Sequence, residues 1–312
     1  MTHLTTPARP QVHPYIRALL GTLAIALTLG LAIALGEWSR VQFGLDIAGQ
    51  QAVQAVLAAA LTLGAILFLH VRLDGSPRAA LGLPPFPAAL RTALWGMGAT
   101  LAAALVVFGS AALLGGIAAT AVDAGRLFAF ILSTALTIFL FEALPEEVAL
   151  RGYVYHNLTR RLRRWVAALS TTLLFLLVPL ASWVQMWILT ALGIASPPAQ
   201  WVPAGEEPLS YFTFLFSFGI VLLIARELTG SVWTSIAIHT TFLTINRLVL
   251  ADDALHTGWG LEVPGGLTGI LLPAYLSLTI IILYVVAEWR GKTIAWNSVP
   301  AQEQVPASQS PV

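Results

Sequence analysis

The chain has 312 residues, of which 57% are hydrophobic and only 10% charged, with a mean hydropathy of +0.81 and a formal net charge of +1. Because charged residues make up roughly a quarter of a soluble domain, this composition excludes a soluble globular protein and indicates a polytopic protein of the lipid bilayer. The chain lacks cysteine, which excludes disulfides, thiolate catalysis and cysteine-based metal sites. No basic patch with interleaved aromatic residues suggests nucleic acid as a partner.

The apolar runs have membrane-spanning length and predict an all-α bundle of about eight transmembrane helices. Residues 1–14 form a polar N-terminal arm, and residues 15–126 contain the first three spans. Residues 127–250 contain the next four spans, and residues 251–290 contain a loop and the last span. Residues 291–312 form a polar tail that is predicted to be disordered. The predicted spans cover residues 15–36, 47–70, 90–120, 127 to about 143, 165–187, 209–224, 231–250 and 267–289.

Positively charged residues are concentrated on one side of these spans. With a cytoplasmic N-terminus, twelve of the sixteen Lys and Arg residues lie in cytoplasmic segments, three lie outside, and Arg151 stands apart. This bias predicts an integral multi-pass protein, assigned to the plasma membrane, with both termini in the cytoplasm. The twelve are Arg9, Arg17, Arg72, Arg78, Arg91, Arg160, Arg161, Arg163, Arg164, Arg226, Arg290 and Lys292, and the three are Arg40, Arg126 and Arg247.

Two carboxylates and a guanidinium interrupt the apolar sequence in the stretch ALPEEVALRG, residues 143–152. Ionisable groups in membrane segments usually face a bundle interior or a wet cavity, where they form either a functional site or a structural ion pair. Pro145 fits the first turn of a new helical segment near the cytoplasmic side. Glu147 and Arg151 are four residues apart, in the order that favours an ion pair, and Glu146 points elsewhere. We therefore predict that Arg151 neutralises Glu147 and that Glu146 stays free as a base.

A second polar stretch, TGSVWTSIAIH, ends at His239. A single histidine in an apolar helix most often only hydrogen-bonds a neighbouring helix, but His239 is the only histidine well inside a predicted span. A glutamate with a histidine is the smallest set that can polarise a water for hydrolysis. Glu146 and His239 are therefore the predicted catalytic residues. Glu142, one turn before Glu146, either tunes that base or is a helix-end residue at the lipid headgroups.

The order of these motifs resembles the CAAX protease and bacteriocin-processing (CPBP, or Abi) family of intramembrane endopeptidases. The residues that carry the resemblance are EE-x-x-x-RG at 146–152, an Arg-rich loop, a leucine-rich aromatic span, and R-x-x-TGS-x-W leading to His239. The resemblance covers about residues 127–250, which would be the catalytic core. It implies an eight-span bundle with a cytoplasm-facing cavity, where a glutamate activates water to hydrolyse a peptide bond of a membrane-associated peptide or protein.

The resemblance also implies a helper histidine from a Phe-x-x-x-His motif and a His-x-x-x-Asn pair. Family members are described as metalloproteases or glutamate proteases, so a divalent metal such as zinc enters only as an implication of the resemblance, with Glu146 and His239 as its ligands. A catalytic zinc normally has three protein ligands, and these residues supply two. We therefore expect no tightly held metal.

Two positions depart from the family pattern. The second motif reads FLLVP, with Pro179 where the family has His, and the third reads HTTFL, with Leu243 where the family has Asn. Asn246 lies on the same helix face as His239 but two turns away, about 10 Å. It is therefore a poor substitute for the missing amide.

Three functions stay open at this point. The first is an intramembrane endopeptidase in which Ser182, Gln185 or Ser235 replaces the lost polar groups. The second is a catalytically inactive family member that binds a membrane partner or peptide in the same cavity. The third is a transporter or proton-coupled relay that uses the buried charges. The lack of an internal repeat and the single ionisable cluster disfavour the third.

Overall fold

The computed structural model describes residues 12–195, 202, 207–250, 257–263 and 266–299. Within these residues the chain forms eight long helices, a short 3-10 helix (Arg78–Leu81) and one short two-stranded antiparallel ribbon. The predicted all-α polytopic bundle is confirmed, with the ribbon as an addition. The helices are α1 (Pro14–Phe43), α2 (Ile47–Leu69), α3 (Phe86–Leu113), α4 (Ala124–Thr159), α5 (Arg164–Ala191), α6 (Pro208–Thr229), α7 (Val232–Leu250) and α8 (Thr268–Trp289).

Among the described helices, all except α7 are long and apolar enough to cross a membrane. Helix α7 has 19 residues and carries His239, Asn246 and Arg247, which lower its hydropathy. It packs against α3, α4 and α6. A Cβ on Gly96 of α3 would lie 2.6 Å from the carbonyl oxygen of Thr234, so glycine allows α3 and α7 to approach closely. Helix α7 is thus packed on several sides by other helices.

Two helix ends differ from the sequence-based prediction. Helix α2 ends in a π-helical turn, His70–Asp74, before Gly75 adopts a left-handed conformation with φ of 68°. Helix α3 ends at Leu113 and not near residue 120, because the following residues pair as strand β1 (Ala118–Val122) with strand β2 (Trp259–Glu262). Such a short ribbon depends on pairing between distant segments, which hydropathy alone does not indicate.

Helix α4 is continuous across the Glu-Glu stretch, so Pro145 does not begin a separate helix as predicted. A π-helical turn, Phe139–Ala143, lies immediately before the short α-helical segment Leu144–Glu146. Proline has no N–H to donate within a helix and its ring crowds the preceding turn, and the wider turn before Pro145 accommodates both effects. A second π-helical segment, Glu147–Val154, follows, and all its residues are buried. Insertions of this kind are frequent at functional sites.

The two ends of the bundle differ in charge. We call the end that carries Arg17, Arg160, Arg164, Arg226 and Arg290 the arginine-rich end. There Asp74 accepts hydrogen bonds from Arg17 Nη1 at 2.9 Å and from Arg160 Nη1 at 2.6 Å. The opposite end contains the α1–α2 turn, the ribbon and the beginning of α6.

Part of the predicted disordered tail has a defined conformation at the arginine-rich end. The backbone N–H of Trp165 donates to the carbonyl oxygen of Trp296 at 3.2 Å, and Arg164 N donates to Ser298 O at 3.1 Å. The side chain of Trp296 packs against the bundle core. The described chain therefore begins and ends on the same side of the bundle. The predicted arm up to residue 11 and the tail from residue 300 lie outside the described residues.

The bundle has two hydrophobic cores, one on each side of the Glu-Glu stretch. The first joins α1, α2, α4 and α5 and includes Phe175 and Val178. The second joins α3, α6, α7 and α8 and includes Phe218 and Phe242. Polar residues placed between two such cores are held by rigid packing on both sides.

Candidate active site

Glu147 is a fully buried carboxylate that contacts two cationic or ionisable partners. Its Oε1 accepts a hydrogen bond from Arg151 Nη1 at 3.1 Å and lies 3.0 Å from His239 Nδ1. Neither Glu147 nor Arg151 is accessible to solvent, and His239 is 3% exposed. The predicted pairing of Glu147 with Arg151 is present in the structure, and His239 is a partner of Glu147 that the sequence did not indicate.

Arg151 is held on several sides. Its guanidinium carbon lies 4.6 Å from the centre of the Phe175 ring, a distance typical of a cation–π contact. Its carbonyl oxygen accepts a hydrogen bond from Arg226 Nε at 3.0 Å. Gly219 of α6 approaches so closely that a Cβ there would lie 3.3 Å from Arg151 Nη2. The Glu147–Arg151 pair is therefore part of the packing between helices α4, α5 and α6.

Glu146, the preceding residue, lines a cavity of about 680 Å³ together with His239. This volume lies within the range of roughly 300–1,000 Å³ that is typical of ligand pockets. Among the described residues, none forms a hydrogen bond or ion pair with the Glu146 carboxylate. The two adjacent glutamates thus differ: one is enclosed with Arg151 and His239, and the other faces the cavity.

The His239 ring is fixed by its neighbours. It packs edge-to-face against Phe218, with ring centres 4.9 Å apart. Nδ1 contacts the Glu147 carboxylate, and this contact favours a hydrogen on Nδ1. The other ring nitrogen, Nε2, does not take part in this contact. The carboxylate of Glu147 therefore orients the imidazole beside Glu146.

The donor groups of Glu146, Glu147 and His239 lie within 4.8 Å of one another and form the metal-ligand candidate among the described residues. Coordination by Glu147 would compete with its contacts to Arg151 and His239. If Glu147 keeps those contacts and only orients His239, two protein ligands remain, one fewer than a catalytic zinc site normally has. The donor set therefore does not fit a catalytic zinc centre.

Both positions that depart from the family pattern border the cavity. Pro179 of α5 and Leu243 of α7 line it with Glu146 and His239. Neither side chain offers a hydrogen-bond donor or a metal ligand. Asn246 also lines the cavity, and it lies nearer than His239 to the C-terminal end of α7.

The three residues that were expected to replace the lost polar groups are engaged elsewhere. Ser182 lines the cavity, but its hydroxyl donates to the carbonyl oxygen of Ala26 at 2.9 Å. Ser235 donates to the carbonyl oxygen of Leu222 at 2.8 Å and is fully buried. The side-chain amide of Gln185 donates to the carbonyl oxygen of Leu27. Each of these contacts joins two helices, and of the three residues Ser182 is the one that lines the cavity.

The sequence did not indicate two further charged features of the cavity. Glu142 Oε1 accepts a hydrogen bond from Arg247 Nη2 at 2.8 Å, and both residues line the cavity. Glu142 thus pairs with α7 and does not lie free at the headgroups, and Arg247 belongs to α7 rather than to a loop. Glu142 is one turn before Glu146 and Arg247 is about two turns after His239, but this spacing within each helix did not indicate that the two side chains would pair. Glu37 of α1 also lines the cavity, and no sequence pattern pointed to it.

Comparison with known proteins identifies the central segment of the chain. Residues 128–245 match the family model described as Rce1-like, type II CAAX prenyl endopeptidase Rce1-like. No curated protein and no solved structure matches the chain. The matched segment contains Glu146, Glu147, Arg151 and His239, and also both departures. The match covers less than half of the chain, and over that segment it agrees with the resemblance to the CAAX protease and bacteriocin-processing family.

Proposed function

We propose that this protein is an intramembrane endopeptidase that hydrolyses a peptide bond of a membrane-associated peptide or protein with a water activated by Glu146. The observation that carries this proposal is the contrast between two adjacent carboxylates. Glu147 is enclosed by Arg151 and His239, whereas Glu146 faces the cavity without a hydrogen-bond partner among the described residues. The family match over residues 128–245 supports the reaction class.

The proposed reaction uses Glu146 as a general base. A water in the cavity loses a proton to the Glu146 carboxylate, and its oxygen adds to the carbonyl carbon of the scissile peptide bond. The protonated Glu146 then gives the proton to the leaving nitrogen as the C–N bond breaks, which yields a carboxylic acid and an amine; the acid then loses its proton to water or to the amine. A positioned general base typically contributes about 10²–10⁴ in rate.

His239 lines the cavity with Glu146, and a ring nitrogen lies within 4.8 Å of a carboxylate oxygen of Glu146. Its contact with Glu147 fixes the ring orientation, and its Nε2 stabilises the developing oxyanion when that nitrogen carries a hydrogen. Glu147 and Arg151 act as positioning residues, since they hold the imidazole and do not reach the cavity themselves.

The two departures predict a slow enzyme. Leu243 places a hydrocarbon group where an amide would donate to the oxyanion, and loss of one such donor lowers the rate by about 10²–10³. Pro179 removes a second polar group from the same site. Groups that act as a unit are not additive in their effects, so the second loss is smaller than the first.

The test is a cleavage assay in proteoliposomes with a mixture of synthetic single-span peptides. The variants are Glu146→Gln and, as a control, Glu288→Gln, which changes an exposed glutamate at the end of α8. We expect slow cleavage by the wild type and by the control, and none by Glu146→Gln. Equal cleavage by all three would contradict the role of Glu146.

A second candidate function rests on Pro179 and Leu243. Their apolar side chains at the cavity wall also suit a catalytically inactive family member that binds a membrane partner or peptide. In that case the wild type and Glu146→Gln would both bind the peptides without cleaving them, and both proteins would protect the same peptide region from an added protease.

The membrane placement is also part of the proposal. The protein is an integral multi-pass membrane protein. We assign it to the plasma membrane with both termini in the cytoplasm, because Lys and Arg residues are concentrated at the end of the bundle where the described chain begins and ends.

A further inference from the structure

The cavity that contains Glu146 occupies only one part of the bundle. Helix α1 contributes residues from its second half, up to Glu37, and α6 contributes its first three turns from Tyr211 to Phe218. Helix α7 contributes His239 and then residues toward its end, up to Arg247. All these segments run toward the end of the bundle that lies opposite the arginine-rich end.

On its arginine-rich side, the cavity is closed by packed protein. The π-helical segment Glu147–Val154 is buried throughout its length. Below it, Arg226 donates to the carbonyl oxygen of Arg151, and the backbone N–H of Val232 donates to the carbonyl oxygen of Gly82 at 2.8 Å. The loop after α2 is thereby fastened across this side of the site.

A second cavity exists at the arginine-rich end, with a volume of about 770 Å³. It is lined by Asp74, Ser76, His156 and Arg160, among others, and by none of the residues Glu146, Glu147 and His239. The buried segment that closes the active site separates the two cavities. The two cavities share no lining residue.

On the opposite side, the cavity of Glu146 reaches the protein surface. The side chain of Arg247 is 40% exposed and that of its partner Glu142 is 24% exposed. Tyr211, in the first turn of α6, is partly exposed as well. Val202, in the connection between α5 and α6, also lines the cavity. The described residues thus place the cavity mouth at this end.

Charge determines which side of the membrane this mouth faces. Lys and Arg residues accumulate in cytoplasmic loops, and of the fifteen Lys and Arg residues that the structure describes, eleven belong to the arginine-rich end. We propose that the active-site cavity opens to the non-cytoplasmic face, and that its substrate is a polypeptide segment exposed on that face of the membrane. This inference rests on the proposed endopeptidase function for the nature of the substrate. It reverses the cytoplasm-facing cavity that the family resemblance implied.

The natural absence of cysteine makes a direct test possible, because each introduced cysteine is the only thiol in the chain. Cavity positions are reported by Asn246→Cys and Tyr211→Cys. Two exposed positions mark the ends of the bundle: Gln51→Cys near the start of α2, and Arg161→Cys in the arginine-rich loop before α5. Right-side-out vesicles are treated with a membrane-impermeant maleimide, before and after permeabilisation.

We expect Asn246→Cys, Tyr211→Cys and Gln51→Cys to be labelled in sealed vesicles, and Arg161→Cys only after permeabilisation. The proposal is overturned if the cavity cysteines follow Arg161→Cys, if the two end markers exchange behaviour, or if neither cavity cysteine is labelled from either side. Gel filtration of each variant in detergent checks that it is folded like the wild type.

This test is independent of catalysis. The same labelling pattern is expected in a Glu146→Gln background. If the protein that retains Glu146 shows no cleavage while its cavity cysteines are labelled from outside, the proposed function is refuted and the access side is left intact. Addition of the single-span peptides to the outside should then reduce labelling of Asn246→Cys. Protection only from the cytoplasmic side would contradict the inferred substrate.

Discussion

The buried pair of Glu147 and Arg151 gives the sharpest prediction for stability. Both side chains are inaccessible to solvent and share a hydrogen bond of 3.1 Å. Removing one partner of such a pair leaves an uncompensated buried charge, which costs about 3–5 kcal/mol. At about 1.4 kcal/mol per factor of ten, either Glu147→Gln or Arg151→Met should shift the unfolding equilibrium by more than a hundredfold.

The double variant separates the charge effect from the packing effect. Glu147→Gln with Arg151→Met removes both charges and keeps similar side-chain volumes, and replacement of a buried pair by apolar groups is often close to neutral. The double variant should therefore be destabilised by clearly less than the sum of the two single changes. It still loses the contact of the guanidinium with the Phe175 ring, which contributes up to about 2 kcal/mol.

The measurement is unfolding of the purified protein by sodium dodecyl sulfate in mixed micelles, followed by circular dichroism. The control is Glu146→Gln, which changes a carboxylate without a hydrogen-bond partner among the described residues and should alter the unfolding free energy by less than about 1 kcal/mol. If Glu146→Gln destabilises as much as Glu147→Gln, the division of roles between the two glutamates is wrong.

Three further predictions concern catalysis, metal and packing. Pro179→His together with Leu243→Asn should increase Glu146-dependent peptide cleavage by about 10²–10³, because an oxyanion donor is restored; an unchanged rate would show that these positions do not act on the substrate. Purified wild type should contain no stoichiometric zinc by elemental analysis, and a chelator should not change its cleavage rate; a tightly bound equivalent would contradict the two-ligand assignment. Gly96→Ala should destabilise by about 1–3 kcal/mol, since the new methyl group would meet the Thr234 carbonyl, whereas Gly98→Ala on the same helix meets no atom within 4 Å and should be neutral or stabilising; equal effects on unfolding would refute the close α3–α7 contact.

The sequence was sufficient for the membrane bundle because each span is a local signal. A run of apolar residues must satisfy its backbone hydrogen bonds within one helix in the bilayer, so hydropathy indicated the helices, least clearly α7, which carries His239, Asn246 and Arg247. The Glu147–Arg151 pair was also predictable, since residues four apart on a helix are neighbours.

Contacts between helices were harder to predict. The contact of His239 with Glu147 and the pairing of Glu142 with Arg247 depend on how α4 and α7 pack, which no local pattern encodes. The ribbon that ends α3 early joins segments far apart in the chain. The π-helical turns around Pro145 follow from the tertiary environment of α4 and have no distinct hydropathy.

The central claim is that Glu146 activates a water, and oxygen transfer in a single turnover tests it most directly. Excess enzyme in proteoliposomes is mixed with a cleavable single-span peptide in water labelled with heavy oxygen, and the new carboxylate is analysed by mass spectrometry. The account predicts one heavy oxygen in the product of the wild type and no product with Glu146→Gln. Heavy oxygen on Glu146 instead of on the product would indicate a covalent acyl intermediate, and cleavage that persists in Glu146→Gln would contradict the account.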